Sequence, residues 1–227
     1  MGQVSKDTVK KAFMATIPVM TGYVVLAIGF GILLKTKGYG LLWSIAMSVF
    51  IYAGSMQYLA IDLLCGGAGL LTTAVTTLMV NARHLFYGIS MVERYRDCGK
   101  KKPYLIFALT DETYSLVCSD ESVKGIKETK SYYFLVSLFN QSYWVIGSII
   151  GSVLGSVIPF DVEGIDFALT ALFVTIFVEQ WLTTKKHKPA IIGVAASVVC
   201  LIIFGPQTFL IPTMVVIVAL LLKEYMS

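Results

Sequence analysis

The sequence predicts an all-α fold, a polytopic integral membrane bundle of seven or eight hydrophobic segments. Three observations carry the prediction. Of the 227 residues 56% are hydrophobic and 14% charged, and the mean hydropathy is +0.77, which leaves too little polar surface for a soluble globule of this size. The apolar residues gather in runs close to the roughly 20 that a helix needs to cross a bilayer. Alternating runs of about ten residues, the mark of a membrane barrel, are absent, and helices are then what satisfies the backbone in lipid.

Segment one covers about 16–34 and carries Pro18, Gly22, Gly29 and Gly31. It follows Lys10-Lys11 but lacks a small-x-small cleavage site, so it reads as a retained span rather than a removed signal. Segment two covers 41–64 with Gly54 in its middle, and segment three covers 68–91, interrupted by Asn81, Arg83 and His84. The loop from Glu93 to Lys102 bears both signs of charge. Segment four, 104–119, is short and holds Asp111 and Glu112 near its centre; the loop 120–130 is charged and wet. Segment five, 132–158, contains Gly147, Gly151 and Gly155 in a doubled small-xxx-small pattern, which favours close helix packing. Segment six, 165–184, carries Glu179 near a membrane end and stops at Lys185-Lys-His-Lys188. The remaining pair, 189–223, is broken at Gly205-Pro206 into runs of about 15 residues, near 22 Å each, which fit two short spans or a re-entrant pair.

The whole chain, 1–227, reads as a single transmembrane domain. Thr21-Gly-Tyr-Val-Val-Leu26 resembles Glu112-Thr-Tyr-Ser-Leu-Val117, and Met47-Ser-Val-Phe50 resembles Val136-Ser-Leu-Phe139. These matches suggest an inverted repeat of three-span units, 12–98 and 103–185. If every segment crosses, the positive-inside rule gives a divided vote: Lys10, Lys11, Lys124, Lys127, Lys130, Lys185, Lys186 and Lys188 fall with the N-terminus, whereas Arg94, Arg96 and Lys100 to Lys102 fall opposite. A non-crossing segment in the first half would resolve it, with the N-terminus inside.

The formal charge of +4 is spread over ends and loops without a basic stripe, so lipid headgroups rather than nucleic acid are the expected partners. Cys65, Cys98, Cys118 and Cys200 lack C-x-x-C spacing and only His84 and His187 could join them, so no metal or other cofactor is expected.

Within the membrane the polar residues form a constellation. Ser48, Tyr52, Ser55 and Asp62 fall at spacings of four, three and seven and so share one inward-looking helical face of segment two, and Ser137, Gln141, Ser148 and Ser152, with Trp144 among them, make a second stripe on segment five. Hydroxyls of this kind commonly back-bond to their own helix. Arg83 is costly in lipid, about 2.5–3.5 kcal/mol on insertion scales. It either pairs with Asp111, Glu112 or Asp62 as a brace or meets a charged substrate, and both hold if the brace opens during a cycle. Asp111 and Glu112, being adjacent, diverge by about 100° and cannot share a proton side by side. Desolvation favours the neutral form of a carboxylate, which suits proton coupling.

Four motifs resemble the AzlC-type large subunit of branched-chain amino acid exporters, the AzlC/YgaZ family of two-component permeases. They are Pro18-Val-Met-x-Gly22-Tyr23, Met47-Ser48-x-x-x-Tyr52-Ala53-Gly54-Ser55-x-Gln57, Asn81-Ala82-Arg83-His84-x-x-Tyr87-Gly88 and Leu109-Thr110-Asp111-Glu112-Thr113-Tyr114. The resemblance implies a multi-pass permease of the bacterial inner (plasma) membrane that works with a small AzlD-type membrane subunit. It further implies export of leucine, isoleucine, valine and, more broadly, methionine, driven by the proton gradient or membrane potential. The chain lacks G-x-x-x-x-G-K-[ST], so it carries no ATP drive of that type. On the motif positions the substrate site is expected from Tyr23, Tyr52, Gly54, Ser55, Gln57, Asn81, Arg83, Asp111, Glu112 and Tyr114, with Asp111, Glu112 and His84 as proton carriers. An amino acid zwitterion would set its ammonium on Asp111 or Glu112 and its carboxylate on Arg83 or the amides at Gly54-Ser55. Its side chain would lie among Tyr23, Tyr52 and apolar neighbours.

The expectation is therefore a transporter and not an enzyme. The alternatives are an intramembrane hydrolase using Ser55 and His84 as a dyad, and a passive channel or membrane scaffold in which packing explains every polar residue.

Overall fold

The computed structural model describes residues 4–118, 123–157, 187–205 and 209–226, together with residues 167, 170, 171, 174, 177, 178, 181 and 182. Segment six's Glu179, the pair Lys185-Lys186 and Pro206 lie outside the described residues, as does much of the end of the unit 103–185. The elements in order are α1 (Lys6–Thr36), α2 (Leu41–Phe50), α3 (Gly54–Cys65), α4 (Leu70–Val80), α5 (Arg83–Tyr95), α6 (Lys102–Phe107), α7 (Asp111–Val117), α8 (Thr129–Val157), α9 (Lys188–Phe204) and α10 (Leu210–Met226). No strand occurs among the described residues.

Two long helices form the spine. α1 has 31 residues and α8 has 29, about 46 and 43 Å at 1.5 Å per residue, enough to cross a bilayer. Ser5 starts α1 by accepting the Thr8 amide at 3.2 Å, an N-cap that satisfies one of the first-turn donors. The two run parallel, because their contacts advance together: Phe13 with Phe139, Thr16 with Tyr143, and Val24 with Gly147. The glycines of α8 permit the approach. A Cβ at Gly147 would lie 2.7 Å from Ala27 Cβ, and one at Gly151 would run into the Ile28 carbonyl. The small-xxx-small pattern is thus the seam with α1, as packing without a hydrophobic drive between helices requires.

α2 runs back against α8. Ser44 Oγ donates to the Ser148 carbonyl at 3.0 Å, Ser48 Oγ to Ser148 Oγ at 2.8 Å, and Gln141 Nε2 to the Val49 carbonyl at 3.2 Å, near the end of α2. The chain then reverses through Ile51, Tyr52 and Ala53, with Tyr52 at φ +43°, a strained conformation for a bulky side chain. α3 returns along α1: Gly54 abuts the Trp144 ring, whereas the Tyr58 hydroxyl donates to the Leu26 carbonyl at 2.7 Å and its ring meets Phe30. Gln57 Nε2 reaches Ser48 Oγ at 3.3 Å, a pair that a continuous helix would hold about 13 Å apart along its axis. Segment two is therefore a re-entrant hairpin. The single polar face expected over Ser48, Tyr52, Ser55 and Asp62 does not exist, because the helix that would align them breaks between 50 and 54.

α4 and α5 form one span interrupted only at Asn81-Ala82, where the His84 amide bonds the Asn81 carbonyl at 2.9 Å in a 3-10-like turn. α5 ends beside the start of α8, with Tyr95 against Tyr133. From that face α6 climbs along α8: Lys101 Nζ, just before it, donates to Ser131 Oγ, Tyr104 Oη donates to Gln141 Oε1 at 2.7 Å, and Phe107 meets Tyr52. After Ala108, Leu109 and Thr110 the chain reverses again. α7 descends beside α5, with Tyr114 stacked on Tyr87 at 4.5 Å, and the chain beyond it returns to the face of the N-terminus, where Lys11 Nζ donates to the Gly125 carbonyl. Segment four is a second hairpin, entering from the face opposite to the first. α9 and α10 pack on each other, and α10 also touches α4; Gly205 ends α9 at φ +73°, a conformation suited to glycine.

Candidate functional site

The two hairpin tips meet halfway along the spine. Tyr23 on α1, Arg83 in the α4–α5 span and Trp144 on α8 all lie near the middles of their spans, and the tips at 51–54 and 108–111 close between them. A cavity of about 40 Å³ remains there, lined by Tyr23, Leu26, Tyr52, Ala53, Gly54, Ser55, Arg83, His84, Thr110, Asp111, Glu112 and Trp144. That is room for about one water. The arrangement is a closed one, with both hairpins seated.

Arg83 ties the two tips together. Its Nη1 lies 2.7 Å from Asp111 Oδ2 and its Nη2 donates to Ser55 Oγ at 2.9 Å. One planar guanidinium therefore bridges hairpin one and hairpin two, a task that suits its fork of donors. Asp111 is the acidic partner among the three that the sequence leaves open. Glu112 points elsewhere, as adjacency on a helix requires: Tyr23 Oη donates to its Oε2 at 2.6 Å and lies 2.7 Å from Thr110 Oγ1. Thr110 caps α7 by accepting the Thr113 amide, and Asn140 Nδ2 on α8 donates to Thr113 Oγ1 at 3.0 Å. Hairpin two is thereby fastened to both spine helices.

Hairpin one differs at its tip. The N-cap of α3 is Ala53, which has no side-chain acceptor, so the amides of Gly54, Ser55 and Met56 end without one. Several polar groups around the cavity are also buried without a partner: Trp144 Nε1, Arg83 Nε and, beside Arg83, Asn81 Oδ1. Buried groups of this kind are few in ordinary interiors and call for a ligand or water.

Of the expected site residues, the cavity wall includes Tyr23, Tyr52, Gly54, Ser55, Arg83, Asp111 and Glu112, with the expected proton carrier His84. Gln57 lies behind hairpin one, fully buried and bonded to Ser48. Asn81 sits at the break in the α4–α5 span, and Tyr114 is stacked on Tyr87 with Ser90 Oγ donating to its hydroxyl. Thr110 and Trp144 join the wall without having been singled out as site residues. Thr110 is legible as an N-cap three residues before Thr113, but only the tertiary structure brings Trp144 across from α8. Ser55 and His84 line one cavity without forming a dyad: Ser55 accepts from Arg83, and His84 Nδ1 lies 3.2 Å from the Asn81 carbonyl of its own turn.

Comparison with known proteins places these features in context. The family model described as AzlC protein matches residues 18–158, a stretch that includes both hairpins and every cavity residue. The chain is 44% identical to the branched-chain amino acid transport protein AzlC of Bacillus subtilis over 93% of its own length and 83% of that protein. It is 42% identical to an uncharacterized membrane protein of Helicobacter pylori, over 94% of this chain and 93% of the relative. Inner membrane protein YgaZ of Escherichia coli is 27% identical over 87% of this chain and 80% of its own. No solved structure matches the chain.

Proposed function

The chain belongs to the AzlC family, and on that premise we propose that it is the large subunit of a secondary carrier that exports branched-chain amino acids across the bacterial plasma membrane. The observation that carries this reading is the mid-membrane cavity closed by two hairpins that enter from opposite faces. Discontinuous helices meeting at the midplane are a recurrent plan for carrier sites, where each half opens the site to one side. Withdrawal of hairpin one exposes the cavity to one face; withdrawal of hairpin two exposes it to the other. Because the closed cavity holds only about one water, a branched amino acid enters only with such a movement, and this favours a gated carrier over a passive channel.

In this reading Asp111 and Glu112 receive the substrate ammonium, Tyr23, Leu26, Tyr52 and Trp144 surround its side chain, and Asp111, Glu112 or His84 carries the proton. The B. subtilis relative's name supports the substrate class. The small AzlD-type subunit is proposed as the partner that completes the permease, and exposed apolar faces such as that of α9 give it room to dock.

The test is efflux from proteoliposomes preloaded with labelled valine, with the chain alone and with a small AzlD-type membrane subunit, under an imposed proton gradient. Valine efflux that needs the chain and collapses with a protonophore is expected. Efflux no faster than from empty liposomes in both preparations, or efflux indifferent to gradients, overturns the reading.

A further inference from the structure

Resting on the carrier reading above, we infer that the uncapped N-terminus of α3 is the seat of the substrate's α-carboxylate, while hairpin two takes the ammonium, so that the ligand's two charges span the two gates. A helix N-terminus concentrates free amides and the positive end of the helix dipole. α3 has 12 residues and begins in mid-membrane at Gly54 behind Ala53, which offers no capping side chain. The amides of Gly54, Ser55 and Met56 therefore want an acceptor where lipid and protein supply none. Trp144, 3% exposed and lining the same cavity, buries its Nε1 donor without a partner. Arg83, already donating to Ser55 Oγ, adds a cation at its edge.

The opposite tip has the complementary character. α7 is capped internally by Thr110 and begins with Asp111 and Glu112, so its cavity-facing groups are acceptors. A ligand that satisfies both tips carries an anion and a cation on one carbon, as an α-amino acid does. A 2-keto acid of the same side chain lacks the group that engages hairpin two, and an amino acid amide lacks the group that engages α3. Selection for the zwitterion thus follows from the asymmetry between the two hairpin tips.

Ala53→Asn tests the seat directly. Ala53 already has the extended backbone of an N-cap, φ −132° and ψ 92°, so an asparagine there caps α3 from within and occupies the amides. Valine transport by the complete permease should fall at least about tenfold, the scale of lost hydrogen bonds to a charged group, while the unliganded protein melts at an unchanged or higher temperature. On the unaltered protein, valine should displace labelled leucine, whereas valinamide and 2-ketoisovalerate should compete at least about tenfold less well. Competition by valinamide equal to that by valine overturns the carboxylate seat, and equal competition by the keto acid overturns the assignment of hairpin two. Transport by Ala53→Asn at the normal rate also overturns the seat. If the unaltered permease moves no amino acid at all, it is the carrier reading that fails.

Discussion

Arg83 is held by partners on two hairpins that share no backbone with each other or with its own span. Its cost in the membrane is offset by the ion pair with Asp111, and its second terminal nitrogen binds Ser55. Both bonds depend on the separation of the two nitrogens in one plane, so lysine is not equivalent. Arg83→Lys retains the charge toward Asp111 and loses the bridge, and transport should drop by about tenfold. Arg83→Ala and Asp111→Asn should each abolish efflux from preloaded cells, with membrane levels checked by immunoblot. Normal efflux in both of these variants would falsify a role for the bridge in transport. Arg83 and Asp111 stand out in the sequence as charges inside apolar runs. Which carboxylate pairs with the arginine is not legible there, because Asp62, Asp111 and Glu112 all lie within apolar segments and only folding selects among them.

At the scale of elements, the spine and the hairpins obey different rules. α1 and α8 run unbroken, and the glycines of α8 set their distance. Gly151→Ala forces a methyl into the Ile28 carbonyl and should destabilise the purified protein by about 2 kcal/mol, read as a lower melting temperature in detergent. Gly193→Ala, where a Cβ meets nothing within 4 Å, is the control and should leave melting close to that of the unaltered protein. The hairpins hold themselves in lipid by borrowed partners. Gln141 satisfies a carbonyl near the end of α2, and Thr110 caps α7, whereas the start of α3 is left open. That difference separates a tip whose helix start is capped by a side chain from one whose helix start is not.

For the whole molecule, the two reversals settle how charge is distributed between the faces. Because hairpin one does not cross, the loop after α5 returns to the face of the N-terminus. Lys6, Lys10, Lys11, Arg94, Arg96, Lys100 to Lys102, Lys124, Lys127 and Lys130 then share one face, against Lys35 and Lys37 on the other. The divided vote becomes a consistent one, from which the positive-inside rule predicts an N-terminus on the cytoplasmic side. Single cysteines in a cysteine-free background check this. Lys37→Cys and Gly69→Cys should both react with an impermeant maleimide added outside intact cells, and Lys100→Cys should react only after permeabilisation. Labelling of Lys37→Cys and Gly69→Cys from opposite sides would show that segment two crosses.

The membrane class, the apolar segments and the helix-packing glycines were determined by the sequence alone, and most of the cavity wall falls on the motif positions that carry the family resemblance. Composition, periodicity and isolated charges in apolar runs report directly on a solvent that cannot hydrogen-bond. The direction of each segment was decided only in the tertiary structure. A run of about 20 apolar residues satisfies lipid equally well as one crossing helix or as two half-helices folded back, and what selects the second is the set of partners, Ser148, Gln141, Tyr23 and Asn140, that the spine presents to the broken ends.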